Sequence, residues 1–273
     1  MAIVTISREL AALGDETAHE LADLLKYRVV NKKCLEDQMK NLGAAEGKIR
    51  KYDDRRPSFW ASLSQDRDDY IHFLKTALFS EAGQGNCIVM GRGSAAILKG
   101  VPGVFSVFLS ASMEIRLERV KSYFHCDERR ARQIIEQSDR DREGFYQYFF
   151  EVELRGPENY HLTLNTGSLH PRLCAELIKT ALERTVTEEA EAANALCLKD
   201  LILGQKVVHH ILFDKTIPIH FLDASVQAGA VTLFGVVNSQ SLVEAAIHSA
   251  GEVPAVSSVT SEIQVVHEYG LTP

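Results

Sequence analysis

This chain of 273 residues is short of several things that would otherwise declare a function. It has five cysteines, Cys34, Cys87, Cys126, Cys174 and Cys197, but no Cys-x-x-Cys pair. An odd, scattered set does not read as a disulfide framework or a zinc site; it reads as reduced thiols, and a cytoplasmic location is expected. No run approaches the eighteen or so apolar residues of a membrane span, and no basic-then-apolar leader opens the chain. Positive charge is in deficit: 30 Lys and Arg against 37 Asp and Glu give a net −7. That argues against nucleic-acid binding over the whole surface, and no nucleic-acid partner is expected. Internal repeats and low-complexity tracts are absent as well.

What is present suits ordinary globular folding, with 45% hydrophobic and 25% charged residues. Ala2–Ile6 is a short apolar run fit for a buried strand. Ala18, Leu21, Ala22 and Leu25 then fall on one face at helical spacing, with Asp15 as the expected N-cap. Tyr27–Val30, the CIVMGRG segment, Val104–Leu109 and His161–Asn165 read as further strands. Tyr70–Ala82, Ser94–Leu98, the segment MEIRLERVKSYF, Asp127–Arg142 and Pro171–Glu183 read as helices. Strands alternating with helices imply an α/β unit with a mostly parallel sheet, whose ligand sits beyond the carboxyl ends of the strands. Those ends carry Ser7-Arg8, Gly91-Arg92-Gly93 and Asn165-Thr166, which are expected to meet at one cleft. Composition changes after Glu183. An acidic, alanine-rich stretch is followed from Thr216 by two strands, a helix and a strand. The expected division is 1–183, a helical connector over 184–195, and 196–273.

The opening strand, turn and helix have the outline of a phosphate-binding loop. In the pattern G-x-x-x-x-G-K-[ST], glycines admit the phosphates to backbone N–H groups, lysine reaches the terminal phosphates and a hydroxyl holds Mg²⁺. Arg8, Leu13, Gly14 and Asp15 occupy those four places, and none matches. A plain strand-to-helix turn capped by Asp15 accounts for the same residues, and Asp15 with Glu16 would repel a triphosphate.

Taken over residues 3–169, however, the text VTISREL…GDETAHELADLL, YDDRRPSFW, YIHFLKTAL, NCIVMGRGSAAILKGVPGVFSVFLSASMEIRLERV, DRDR and YHLTLNTGSL resembles the cytidylate kinase-like family. The resemblance implies a P-loop NTPase-like parallel sheet flanked by helices. It also implies ATP-dependent phosphoryl transfer, with Mg²⁺, to CMP or a related acceptor; the alternative is a catalytically inactive nucleotide sensor or adaptor. Family members carry S-R-E-x-G-S-G-G in the opening loop. This chain keeps Ser7, Arg8, Glu9 and Gly14 but has Ala11, Ala12 and Leu13 in place of Gly-Ser-Gly. Ser7, Arg8 and Gly14 are thereby implied in holding the ATP phosphates. Arg140 and Arg142 match the arginines of a lid that closes over the transferring group, where planar guanidinium groups neutralise charge. Arg92 matches a contact to the acceptor monophosphate, and Asp54 and Arg55 lie in a stretch that helps hold the acceptor. Each has a plainer reading. Arg140 and Arg142 alternate with Asp139 and Asp141 as a solvated, ion-paired face would, and Asp53–Arg56 reads equally as a surface turn. Arg116 and Arg119 read equally as partners of Glu118 on their helix or as functional. Asn165-Thr166-Gly167 reads equally as a turn or as part of a nucleotide pocket. No metal site is expected: His209 and His210, adjacent on a helix, point apart. Trp60 and the FYQYFF cluster are read as packing residues or a lid hinge.

The C-terminal text IPIHFLDASVQAGAVTLFGVVNSQSLVEAAIHSAGEVPAVSSVTSEIQVV resembles a BON domain, a small α/β module of bacterial osmotic-stress and secretin-type proteins linked to phospholipid and protein binding. Alternation in AVTLFGVV puts Val231 and Leu233 on one face and Thr232 and Phe234 on the other. The resemblance implies a protein partner or self-association. No basic amphipathic face supports membrane contact.

Overall fold

Ile3–Arg8, designated β1, has five of its six residues fully buried, which is what a strand covered on both faces requires. The computed structural model describes residues 2–52 and 66–266. β1 is the middle of a five-stranded sheet with β2 (Arg28–Val30), β3 (Cys87–Met90), β4 (Val104–Ser110) and β5 (Leu162–Asn165), in the order β2-β3-β1-β4-β5. Every pairing is parallel; Ile3 lies opposite Cys87 on one side and Val104 on the other. Because β3 and β4 flank β1 on opposite sides, a crevice opens beyond the carboxyl end of β1, where such sheets bind ligands.

The strands are joined by α1 (Gly14–Leu25), α2 (Lys32–Asn41), α3 (Glu46–Lys51), α4 (Asp66–Gly83), α5 (Ser94–Ile97), α6 (Met113–Phe124) and α7 (Glu128–Phe150), and α8 (Pro171–Thr185) follows β5. One face of the sheet contributes Val4, Ile6, Ile88, Val107, Leu109 and Leu164 to a core closed by Ala18 and Leu21 of α1 and Cys174, Ala175, Ile178 and Leu182 of α8. The alternation that aims Val4 and Ile6 there sends Ser7 to the opposite face, where its hydroxyl meets the Tyr146 hydroxyl of α7 at 2.9 Å.

Three local expectations need correction. Asp15 does not cap α1: Leu13 is the N-cap, in the left-handed region (φ 51, ψ 38), with no side-chain cap bond. The opening strand runs on through Arg8, so the loop between strand and helix is only Glu9–Leu13. The charged helix expected over 127–142 continues to Phe150. It carries the FYQYFF cluster in its last turns, with Phe145 and Phe149 packed at 4.9 Å between ring centres.

The chain divides into two compact units, 1–195 and 196–273. The division falls within α9 (Glu188–His209). In the second unit, β6 (His220–Gln227) pairs antiparallel with β7 (Ala230–Val237), and β8 (Ser258–Val265) lies parallel on β7's other side. Ala228 and Gly229 both have positive φ, as a two-residue hairpin turn of type I′ requires. Val231 and Leu233 are buried with Val243, Ala246 and Ala250 of α10 (Gln240–Gly251), while Thr232 and Phe234 take the other face.

Candidate functional site

A cleft of about 700 Å³ lies over the loop that follows β1. Its floor is Arg8 through Glu16; its walls are Glu118–Val120 and Ser122–Phe124 of α6, with Arg142 of α7. The loop backbone is unusual. Ala11 and Leu13 have φ of 60° and 51°, a region that costs a non-glycine residue about 1–2 kcal/mol. Within the loop, Glu9 N–H donates to Leu109 O (3.1 Å) and Ala12 N–H to Glu9 O (3.3 Å). No side chain caps the first turn of α1, so its leading N–H groups are left to whatever enters the cleft.

Three arginines from outside the loop hold that shape, two by loop carbonyls and one by the carbonyl that ends β1. Arg116 Nε donates to Leu10 O (2.8 Å), Arg119 Nη1 to Ala11 O (2.9 Å) and Arg142 Nη1 to Arg8 O (3.0 Å). Arg119 also donates to Thr166 O (2.7 Å) and Oγ1 (3.2 Å), tying the loop to the end of β5. Burial lowers the Arg119 pKa, and the Glu16 carboxylate opposes that shift. Behind the loop sits a charged cluster. Glu9 accepts from Arg155 Nε (2.9 Å) and Ala111 N (3.2 Å) and lies 3.4 Å from Arg116. Arg116, only 2% exposed, also chelates both carboxylate oxygens of Asp139 (2.6 and 2.8 Å). Burial disfavours the Arg155 charge, but Glu9, Glu143 and Asp139 together raise its pKa above the ordinary value.

The residues expected at the site are placed as follows. Arg8 reaches across Gly14 and Gly91. A Cβ on Gly14 would stand 2.8 Å from Arg8 Cγ, and one on Gly91 would strike its guanidinium. Arg8 is 3.8 Å from Asp15. Ser7 is buried and bonded to Tyr146. Arg142 lines the cleft. Arg140 is exposed on α7, bonded to Gln137 at 3.2 Å and 3.8 Å from Glu136. Arg92, itself at positive φ, is buried; it donates to Glu36 (2.5 Å) and to Tyr70 OH (3.4 Å). Asp54, Arg55 and Trp60 lie outside the described residues. Arg116 and Arg119 do not pair with Glu118, which instead takes Lys121 at 2.9 Å. Glu9, Arg119 and Thr166 are the residues that reading the sequence underweighted. Their signal was an acid at a strand end and two arginines one helical turn apart beyond the next strand.

The profile of the family described as "Cytidylate kinase-like family" matches residues 3–168, more than half of the chain. The chain belongs to the cytidylate kinase-like family. The profile of the BON domain matches residues 199–267. No curated protein matches the chain. Among solved structures, an uncharacterized protein from Eubacterium ventriosum is 17% identical, with 67% of this chain and 99% of that one covered and a TM-score of 0.53. A sugar kinase from Janibacter sp. is 15% identical (69% and 99% covered, TM-score 0.42), and a shikimate kinase from Acinetobacter baumannii, in complex with shikimate, is also 15% identical (68% and 96%, TM-score 0.39). The cytidylate kinase-like domain is thus followed by a BON domain, and no described helix is long and apolar enough to cross a membrane.

Whether this cytidylate kinase-like cleft fits ATP and Mg²⁺ turns on its donor set. Its lining brings three arginines (Arg8, Arg119, Arg142) together with Asp15 and Glu16, while Glu9 is neutralised behind the loop by Arg116 and Arg155, and Glu118 by Lys121. The uncapped N–H groups at the start of α1 and Arg8 fit a phosphate; Asp15 and Glu16 do not, unless a cation stands between. Among the described residues no group of three His, Cys, Asp or Glu could hold a metal by itself. Magnesium needs none, since it binds through one or two carboxylates together with substrate phosphates and water. Asp15 and Glu16 are the residues that would hold it. The Thr17 hydroxyl is already committed to Leu13 O at 2.8 Å.

Proposed function

We propose that the N-terminal domain binds a nucleoside triphosphate, with Mg²⁺, in the cleft over residues 8–16 and transfers its terminal phosphoryl group to CMP or a related acceptor held near Arg92. The observation that carries this reading is the loop. Ala11 and Leu13 stand where the family has glycine, yet both keep a left-handed backbone at an energetic cost. Arg116 and Arg119 hold that conformation through Leu10 O and Ala11 O. A turn that merely linked strand to helix would relax into an unstrained conformation.

The roles follow from position. Loop N–H groups and Arg8 receive the donor phosphates, and Asp15 and Glu16 accept the magnesium that screens them. Arg142 is beside the loop, where charge develops during transfer. Arg140 shares that role only if α7 moves, because it points away from the cleft lining. Arg92, fixed by Glu36 and Tyr70, faces the acceptor, with Asp54 and Arg55 assisting. Bound Mg²⁺ would supply charge neutralisation across the phosphates. The BON domain would bind a protein partner or a second copy of the chain.

Asp15 and Glu16, which oppose a triphosphate, favour a second reading, in which nucleotide binds without turnover and the domain senses it. Titration calorimetry of the full chain with ATP–Mg²⁺ and with CMP, followed by chromatography of the products, separates the two. Formation of CDP, reduced at least a hundredfold in Arg142→Ala, supports the transferase. Heat of binding with no product supports the sensor. If no nucleotide binds or raises the melting temperature, both readings fail, since a ligand of the native state must stabilise it.

A further inference from the structure

Tyr123 and Phe124 end α6 in the open, 79% and 50% exposed. The rest of that helix's apolar side is accounted for: Leu117 and Val120 pack with Ala131 and Ile135 of α7 in a cluster that does not include the two rings. The rings meet edge to face, with centres 4.9 Å apart and planes at 76°. Such a pair leaves ring faces uncovered. Both residues line the same cleft as the strained loop, Arg8 and Arg142.

We propose that Tyr123 and Phe124 form the platform on which the base of the bound nucleotide stacks, and that the donor site consequently tolerates any base. This rests on the reading of the cleft as a nucleotide site and adds the residues that grip the nucleoside. Two observations lead to it. First, phosphate contacts alone make a weak site: the carboxylates of Asp15 and Glu16 stand beside the loop, and Arg119 and Arg142 are already bonded to backbone carbonyls. Affinity therefore has to come from an apolar contact, and this aromatic pair supplies one within the cleft. Second, among the described residues of the cleft little is on hand to read a base edge. Beside the ring faces, the cleft offers the hydroxyls of Ser122 and Tyr123 and the Glu118 carboxylate, and Glu118 is already held by Lys121. Stacking is indifferent to base identity because every base presents a π-face.

The test uses the full chain with Mg²⁺, titrated with ATP, GTP and inorganic tripolyphosphate. Wild type should bind ATP and GTP within about threefold of each other and tripolyphosphate more weakly. The Tyr123→Ala/Phe124→Ala double variant should lose about tenfold or more in affinity for both nucleotides, the range stacked bases show on alanine substitution, while tripolyphosphate binding stays unchanged. The exchange variant Tyr123→Phe/Phe124→Tyr should keep wild-type affinities. Unchanged ATP affinity in the alanine variant, or an equal loss for tripolyphosphate, overturns the platform and leaves the nucleotide reading standing. Discrimination between ATP and GTP beyond thirtyfold overturns the base tolerance. If wild type binds neither nucleotide nor tripolyphosphate, the nucleotide reading falls, and the platform with it.

Discussion

Replacing Ala11 by glycine should stabilise the protein, although the same change one residue later should weaken it. Ala11 has φ 60°, where a Cβ costs about 1–2 kcal/mol. Glycine removes that cost and adds about 0.4–1 kcal/mol of unfolded-chain entropy, so the net gain is about 0.5–1 kcal/mol. Ala12 is 1% exposed, packed in the sheet core, and not at positive φ. Glycine there loses a buried methyl, about 0.8 kcal/mol, and adds the same entropy without relieving strain, a loss of about 1.5 kcal/mol. The two variants should therefore differ by about 2 kcal/mol, a separation of roughly 4–8 °C in melting temperature for a unit of this size. Scanning calorimetry of the full chain reads both. Ala11→Gly melting as low as Ala12→Gly would refute the claim that the loop is held in a strained conformation, and with it the observation on which the proposed function stands.

Other outcomes follow from the same contacts. Arg119→Lys should destabilise the first unit by about 1–3 kcal/mol in urea denaturation, because an ammonium cannot reproduce the planar fork that bonds Ala11 O and Thr166 together. Arg116→Met should cost about 3–5 kcal/mol, since it leaves Glu9 and Asp139 as buried charges with one partner fewer; a second substitution, Asp139→Leu, should recover part of that loss in a double-mutant cycle. Gly204→Ala would normally favour a helix by about 1 kcal/mol, but its Cβ would lie 2.7 Å from Ala224 O, so the second unit should unfold at lower urea. Iodoacetamide at pH 8 should label Cys34 and Cys126 before Cys87, whose thiol is pushed up to about 11, chiefly by burial, as peptide mass spectrometry would show.

Much of the framework was legible in the chain. Val4, Ile6, Val107 and Leu109 fall in short apolar runs, and Ala18, Leu21 and Ile178 at helical spacing, because burial against water imposes those periods locally. The hairpin of the second unit was readable from Gln227-Ala228-Gly229 and the alternation of Val231 and Leu233. Departures came where tertiary partners outweigh local preference. Asp15 is a good cap by type, yet Leu13 begins the helix because the loop carbonyls are held by arginines more than a hundred residues away. Helical spacing suggested Glu118 for Arg116 and Arg119; instead the loop of β1 and the end of β5 take them.

Sequence alone determined the alternating layers, the two-domain order and the residue types at each strand end, since hydrophobic period and turn chemistry act over a few residues. Which charges share a cleft was decided only by the fold. Arg8, Arg119 and Arg142 meet there and Arg140 does not, because the crevice beyond β1 collects side chains by the order of strands in the sheet, a long-range property that no local spacing encodes.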